Sequence, residues 1–180
     1  MQGRREEKKP DRRNLLILLL LLLTIFAVGV TIWALFFRET QSTLAPDYAP
    51  QEEEEYAQPI PDDSGEKLEE PENGGTVSLT YSNQVEIDLS DADLTLLFAN
   101  PGKSNQDMVL QVIVQDIELV RSGRLEPGHQ VTQLDLLPGA ADKLSPGGYD
   151  GKFVISFYQP DTGEKAVVNT EIPISITVKN

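Results

Sequence analysis

The stretch Leu125–Gly151, LEPGHQVTQLDLLPGAADKLSPGGYDG, decides how the second half of this chain is read. It holds three Pro-Gly pairs (Pro127-Gly128, Pro138-Gly139, Pro146-Gly147), the only histidine, His129, and a tyrosine set among glycines, Tyr149. Pro-Gly pairs punctuate short β-strands, because proline presets a turn and glycine tolerates positive φ. The run between the first two pairs, QVTQLDL, is strand-like in length and composition.

The same texture extends on both sides. TVSLTY, QVEIDL, LTLLFAN, MVLQVIVQ, IELV, KFVISFYQ, KAVVN and IPISITVK are short runs rich in β-branched and aromatic residues. Val85, Ile87 and Leu89 alternate with polar residues, as do Ile172, Ile174, Ile176 and Val178. Val109–Val114 is apolar on both faces apart from Gln111, which predicts a strand covered on both sides. Phe153, Ile155 and Phe157 are expected to oppose Val154, Ser156 and Tyr158. Pro160-Asp161-Thr162-Gly163 is a tight hairpin signal. After residue 76 no stretch sustains a helical period, although GAADKL offers one turn. Seven to nine short strands over 76–180 predict an all-β antiparallel sandwich.

Leu144-Ser145-Pro146-Gly147-Gly148-Tyr149 resembles the tyrosine-corner sequence of immunoglobulin-like sandwiches: a leucine, a glycine two residues before a tyrosine, then an alternating strand. LEPGHQVTQLDL is similar to a turn-and-strand unit of bacterial Ig-like surface domains. The resemblance covers 76–180 and implies that the Tyr149 hydroxyl bonds back to the backbone. It also implies an extracytoplasmic scaffold for adhesion, spacing or protein contact. The Cys and Trp pair of antibody domains is missing.

Upstream the chain changes character twice. Leu15 to Phe37 carries no charge, and 23 residues at about 1.5 Å each span about 34 Å, enough for a hydrocarbon core of about 30 Å. Six basic residues precede it (Arg4, Arg5, Lys8, Lys9, Arg12, Arg13) and only Arg38 follows, so the positive-inside bias sets the N-terminus in the cytoplasm. The expectation is a basic cytoplasmic tail at 1–13 and a single-pass transmembrane signal anchor at 14–37. A cleaved signal peptide, with Thr43 and Ala45 at the cleavage site, is the rival. Its apolar core would normally be only about 7–15 residues. Residues 38–75, with five prolines and the Glu52–Glu55 run, predict a disordered, extended acidic stalk. The Ig-like domain is then expected at 76–180.

Charge and chemistry exclude several functions. The net charge of −14 disfavours nucleic acid, and the absence of cysteine removes disulfides, thiolate metal sites and cysteine nucleophiles. A histidine base or zinc site would rest on His129 alone, at a turn. Ser122 and Ser145 lie in no nucleophile motif, and phosphate-binding glycine loops are missing. Asp88, Asp91 and Asp93 are the candidate metal ligands, supplying hard oxygens for calcium, but their spacing and lack of a following glycine break the EF-hand pattern. A polar inter-strand turn accounts for them. No catalytic residue and no cofactor is expected.

The function expected is therefore non-enzymatic: a protein of a bacterial cell envelope, anchored in the lipid bilayer through 14–37. It would present its extracytoplasmic β-domain to an envelope protein or a wall polymer. A calcium-dependent or carbohydrate-binding module, and an accessory subunit of a membrane complex, remain as alternatives.

Overall fold

Among the described residues, β-branched runs separated by glycine and proline turns give nine strands. The protein, seen in a computed structural model, is described at residues 12–36, 47–72 and 74–180. Two compact units result, 1–41 and 42–180, and each is considered by itself.

The first unit holds the helix α1 (Arg12–Phe36). Its side chains are described for 16–30, and every one of these residues is exposed. Thr24 satisfies its hydroxyl by donating to the Leu21 carbonyl at 2.8 Å, within the helix. Among the described residues no helix is long and apolar enough to cross a membrane. The stretch through residue 11 expected as a cytoplasmic tail, Phe37, and Thr43 and Ala45 of the rival cleavage reading lie outside the described residues.

The second unit is all-β. Its strands are β1 (Gln58–Pro59), β2 (Thr80–Tyr81), β3 (Gln84–Asp88), β4 (Asp93–Asn100), β5 (Asp107–Val114), β6 (Ile117–Arg121), β7 (His129–Asp135), β8 (Gly147–Tyr158) and β9 (Lys165–Lys179). They form one mixed sheet in the order β1-β7-β4-β3-β9-β8-β5-β6, curled into a half-barrel, with β2 beside β4. Every pairing is antiparallel except β3 with β9, where Val85 opposes Ile176 and Ile87 opposes Val178. KAVVN and IPISITVK, read as separate runs, belong to the single strand β9. Pro173 is tolerated inside it because β3 begins pairing only at Ser175, leaving one side of β9 open there.

Curling brings the concave faces of the strands together. Val85, Ile87, Leu94, Phe98, Met108, Leu110, Val112, Phe153, Ile155, Ile174, Ile176 and Val178 share one buried cluster. Phe153 is its pivot, meeting Phe98 edge-on at 6.1 Å and Tyr81 at 6.5 Å between ring centroids. β5 is buried at all eight positions, as its two-faced apolar run predicts. Its even-numbered residues face this cluster, while Val109 packs on the outer side with Tyr158 and Ala49.

Ala49 belongs to the segment read as a disordered stalk, and that expectation is corrected for the described residues 47–72. Ala49 donates to the Gly163 carbonyl at 2.8 Å, and Lys165 donates back to Asp47. The Glu54 amide donates to Arg124 and the Ile60 amide to Gly128, while β1 pairs with β7. The Asp63 carboxylate accepts from the Gly102 and Gly65 amides, which make it more acidic than an ordinary carboxylate. Composition disfavours order here, but ladder bonds and the burial of Ala49 against Val109 offset the chain entropy that an isolated acidic segment would keep. The folded unit thus begins upstream of residue 76.

Candidate functional site

The expected site residues scatter. Asp88, Asp91 and Asp93 sit around the β3–β4 turn, where Ala92 takes φ 56°. Asp88 Oδ1 accepts from the Ser90 amide at 2.9 Å and from its hydroxyl at 2.6 Å; the hydroxyl bond first, then the amide, keeps Asp88 more acidic than usual. Asp93 Oδ2 accepts from Gln133 at 2.9 Å, and burial, then the charges of Asp91, Asp88 and Asp135, push its carboxyl up. Asp91 is exposed. Among the described residues no group of three or more His, Cys, Asp or Glu is placed to hold a metal ion.

Ser122 is buried and structural: its Oγ accepts from the Leu110 amide at 2.9 Å and donates to the Gly123 carbonyl at 2.8 Å. Ser145 serves the corner instead. The Tyr149 hydroxyl donates to the Ser145 carbonyl at 2.9 Å, and the Ser145 amide donates to that hydroxyl at 3.2 Å. The tie that the tyrosine suggested is therefore present, closing the turn that leads into β8. Gly163 ends the β8–β9 hairpin at φ 70°, and its amide donates to Gln159 at 2.7 Å.

His129 opens β7, half-buried, with Nε2 3.7 Å from Glu53 Oε1. Its neighbours form a polar cluster where residues 52–60 cross the sheet. Asp107 is only 3% exposed, and its Oδ2 lies 3.9 Å from Arg124 Nε. Burial pushes the Asp107 carboxyl up to about 6, against the pull of the Arg124 charge. Arg124 itself bonds Glu126 at 2.8 Å. Asn100, fully buried, donates from Nδ2 to the Gln106 and Leu125 carbonyls at 2.9 and 3.0 Å, tying the β4–β5 loop to the segment before β7. Lys67 reaches the Ser104 carbonyl at 2.6 Å from the far end of the crossing segment.

A cleft of about 330 Å³ lies beside this crossing, lined by Glu52–Glu55, Tyr56, Arg121, Leu134 and Asp135 among others. Tyr56 donates to both Asp135 oxygens at 3.0 and 3.1 Å, a bond that pushes its phenol up. Arg121 is engaged by Glu118 at 2.7 Å. The cleft walls are largely anionic. What the arrangement does chemically is hold the acidic segment on the sheet. NPGKSNQD (100–107) reads as a turn in sequence, and nothing in its spacing marks Asp107 or Asn100 as buried; only the crossing segment and the Arg124 turn bury them.

No family model matches the chain, and no curated protein matches it. Among solved structures, the chain is similar to AggA, the major subunit of aggregative adherence fimbriae type I from Escherichia coli. The TM-score is 0.31 and the identity 12%, over 62% of this chain and 100% of that one. It is also similar to a protein of unknown function from Porphyromonas gingivalis W83, with TM-score 0.29 and identity 20%, over 56% of this chain and 47% of that one. Likeness at these TM-scores carries no argument about function; what it leaves is a fold-style resemblance to proteins that include a fimbrial subunit.

Proposed function

We propose that this chain is a single-pass protein of a cell envelope that presents an Ig-like β-domain outside the membrane for binding or structural contact rather than catalysis. The observation that carries the reading is α1. Every described side chain from 16 to 30 is exposed, without a charge, and the one hydroxyl, Thr24, is satisfied inside the helix. Such a surface is disfavoured in water, at about 25 cal/mol for each Å² of apolar area left wet, and favoured in lipid. Six basic residues ahead of the apolar run against the single Arg38 directly after it support a cytoplasmic N-terminus.

The Ig-like reading rests on topology and on the corner. β2 and β3 run in succession along β4, and β3 also pairs parallel with β9. The curled path then reads as β7, β4 and β2 facing β9, β8, β5 and β6. The Tyr149–Ser145 tie supports the same assignment. Binding rather than catalysis is supported by a Ser122 hydroxyl that is buried and already engaged on both sides. An envelope protein or wall polymer is the partner class proposed.

The test is a reporter enzyme active only outside the cytoplasm, fused after Asn180 in cells. Activity supports the reading. A reporter that works only in its cytoplasmic form refutes the orientation.

A further inference from the structure

Among its described residues the β-unit exposes five large apolar side chains, Tyr48, Leu68, Tyr81, Val167 and Val168, and three of them lie at one end of the β8–β9 hairpin. Tyr48 bridges to Glu164, so it sits at the turn itself. Val167 and Val168 follow three and four residues along β9. They are exposed because the ladder skips there: Ser156 opposes Asn169 and Tyr158 opposes Lys165, so Ala166–Val168 face the single residue Phe157. The bulge turns both valines outward, to 101% and 67% exposure. β-Branched apolar residues in strands ordinarily pack, and a bulge that re-aims two of them is a local feature of the fold rather than a fault in pairing.

The covalent chain says what can reach this tip. Residue 47, where the described β-unit begins, is hydrogen-bonded to Lys165 in the same hairpin. Ten residues, 37–46, join it to the end of α1, and ten residues span at most about 36 Å. The hairpin end is thus the part of the β-unit nearest, along the chain, to the bilayer in which α1 is proposed to lie. Two valines and a tyrosine bind lipid weakly as free groups, and the exposed acids Asp161 and Glu164 beside them oppose an anionic surface. A short tether changes that balance, because it holds the tip at high effective concentration over the surface. Tyrosine is also suited to the headgroup level.

We infer that the end of the β8–β9 hairpin, through Tyr48, Val167 and Val168, rests on the lipid bilayer that holds α1. The inference depends on the proposed membrane anchor. In this contact the opposite end of β9, with the β3–β4 turn, stays off the lipid.

The chain has one tryptophan, Trp33, so fluorescence separates the two readings. Full chain is reconstituted into phosphatidylcholine vesicles with or without bromine-labelled acyl chains. The unaltered protein reports the anchor through Trp33. Trp33→Phe combined with Val167→Trp reports the tip, and Trp33→Phe with Asp91→Trp reports the far end, about 45 Å away along β9. The expected result is loss of emission with brominated lipid and a blue shift for the indole at position 167, and neither for the one at 91. No quenching at 167 while Trp33 is quenched overturns the tip contact and leaves the anchor standing. Equal quenching at 167 and 91, or a blue shift at 167 without quenching (a second protein surface on the tip), overturns it as well. An unquenched Trp33 overturns the anchor and the inference together.

Discussion

Asp107→Asn should make this protein more stable at neutral pH, and only there. Asp107 is 3% exposed, and its one close cation, Arg124, stands 3.9 Å away. Burial dominates, and its carboxyl titrates at about 6 rather than at the ordinary 3.8. A folded-state value above the unfolded one means that the folded protein holds the proton more tightly. Its contribution to stability is fully present below about pH 4 and is lost as the pH rises through 6. The displacement from 3.8 to about 6 corresponds to at most about 3 kcal/mol, at about 1.4 kcal/mol per pH unit. Arg124 and water at the rim of the cluster reduce the recoverable part to about 1–2 kcal/mol. Asparagine keeps the shape and removes the charge. Thermal unfolding followed by near-ultraviolet circular dichroism, on both proteins in the same detergent, should show the variant about 3–6 °C higher at pH 7.5. The gap should narrow as the pH falls below 6 and close only by about pH 3.5, where the carboxyl is neutral in the unfolded chain as well. A variant that melts lower by the same amount at both pH values refutes the reasoning, because it would mean that the carboxylate is held by bonds asparagine cannot make.

Three further outcomes follow from the same geometry. Tyr149→Phe removes both bonds to Ser145, which lie near the surface; a loss of about 1 kcal/mol is expected, and unchanged melting would sink the corner assignment. Ala49→Asp places a carboxylate against Val109 and Tyr158, so it should cost about 2 kcal/mol or more and expose the segment around it to protease. Wild-type resistance in that variant would show that residues 47–60 are not seated on the sheet. Calcium titrated calorimetrically to millimolar concentration should give no binding heat, since Asp88 is committed to Ser90 and Asp93 to Gln133; a saturable heat lost in Asp88→Asn would restore the calcium reading.

Much of the β-unit was legible because its signals are local. Alternation marks β3 and the end of β9, the double apolar face marks β5, and Pro160–Gly163 marks the β8–β9 hairpin. The β5–β6 turn shows the limit of such reading. Gln115 and Asp116 both take positive φ, at 49° and 62°, with no glycine to announce it. TVSLTY contributes only Thr80–Tyr81 as strand, because its earlier residues bond the Ser104–Asn105 loop instead of a neighbouring strand. The candidate site was less legible. Asp88, Asp91 and Asp93 stand close together in the sequence, but what Asp88 and Asp93 bond depends on Ser90 nearby and on Gln133, forty residues from Asp93.

By itself the sequence determines what short-range chemistry determines: an uncharged apolar run behind basic residues, a β-rich body, no cysteine chemistry and almost no histidine chemistry, and a tyrosine that bonds its own turn. Tertiary structure alone decided where the acidic segment 47–72 goes and which polar residues are buried. Composition predicts that this segment stays free, because it counts the segment's own few apolar groups and strong self-repulsion. Its order comes from elsewhere in the chain: the Gly163 carbonyl, the Arg124 backbone, the β7 edge and the Gly102 amide. Those partners lie about 40 to 115 residues downstream, and only the curl of the sheet brings them to one surface.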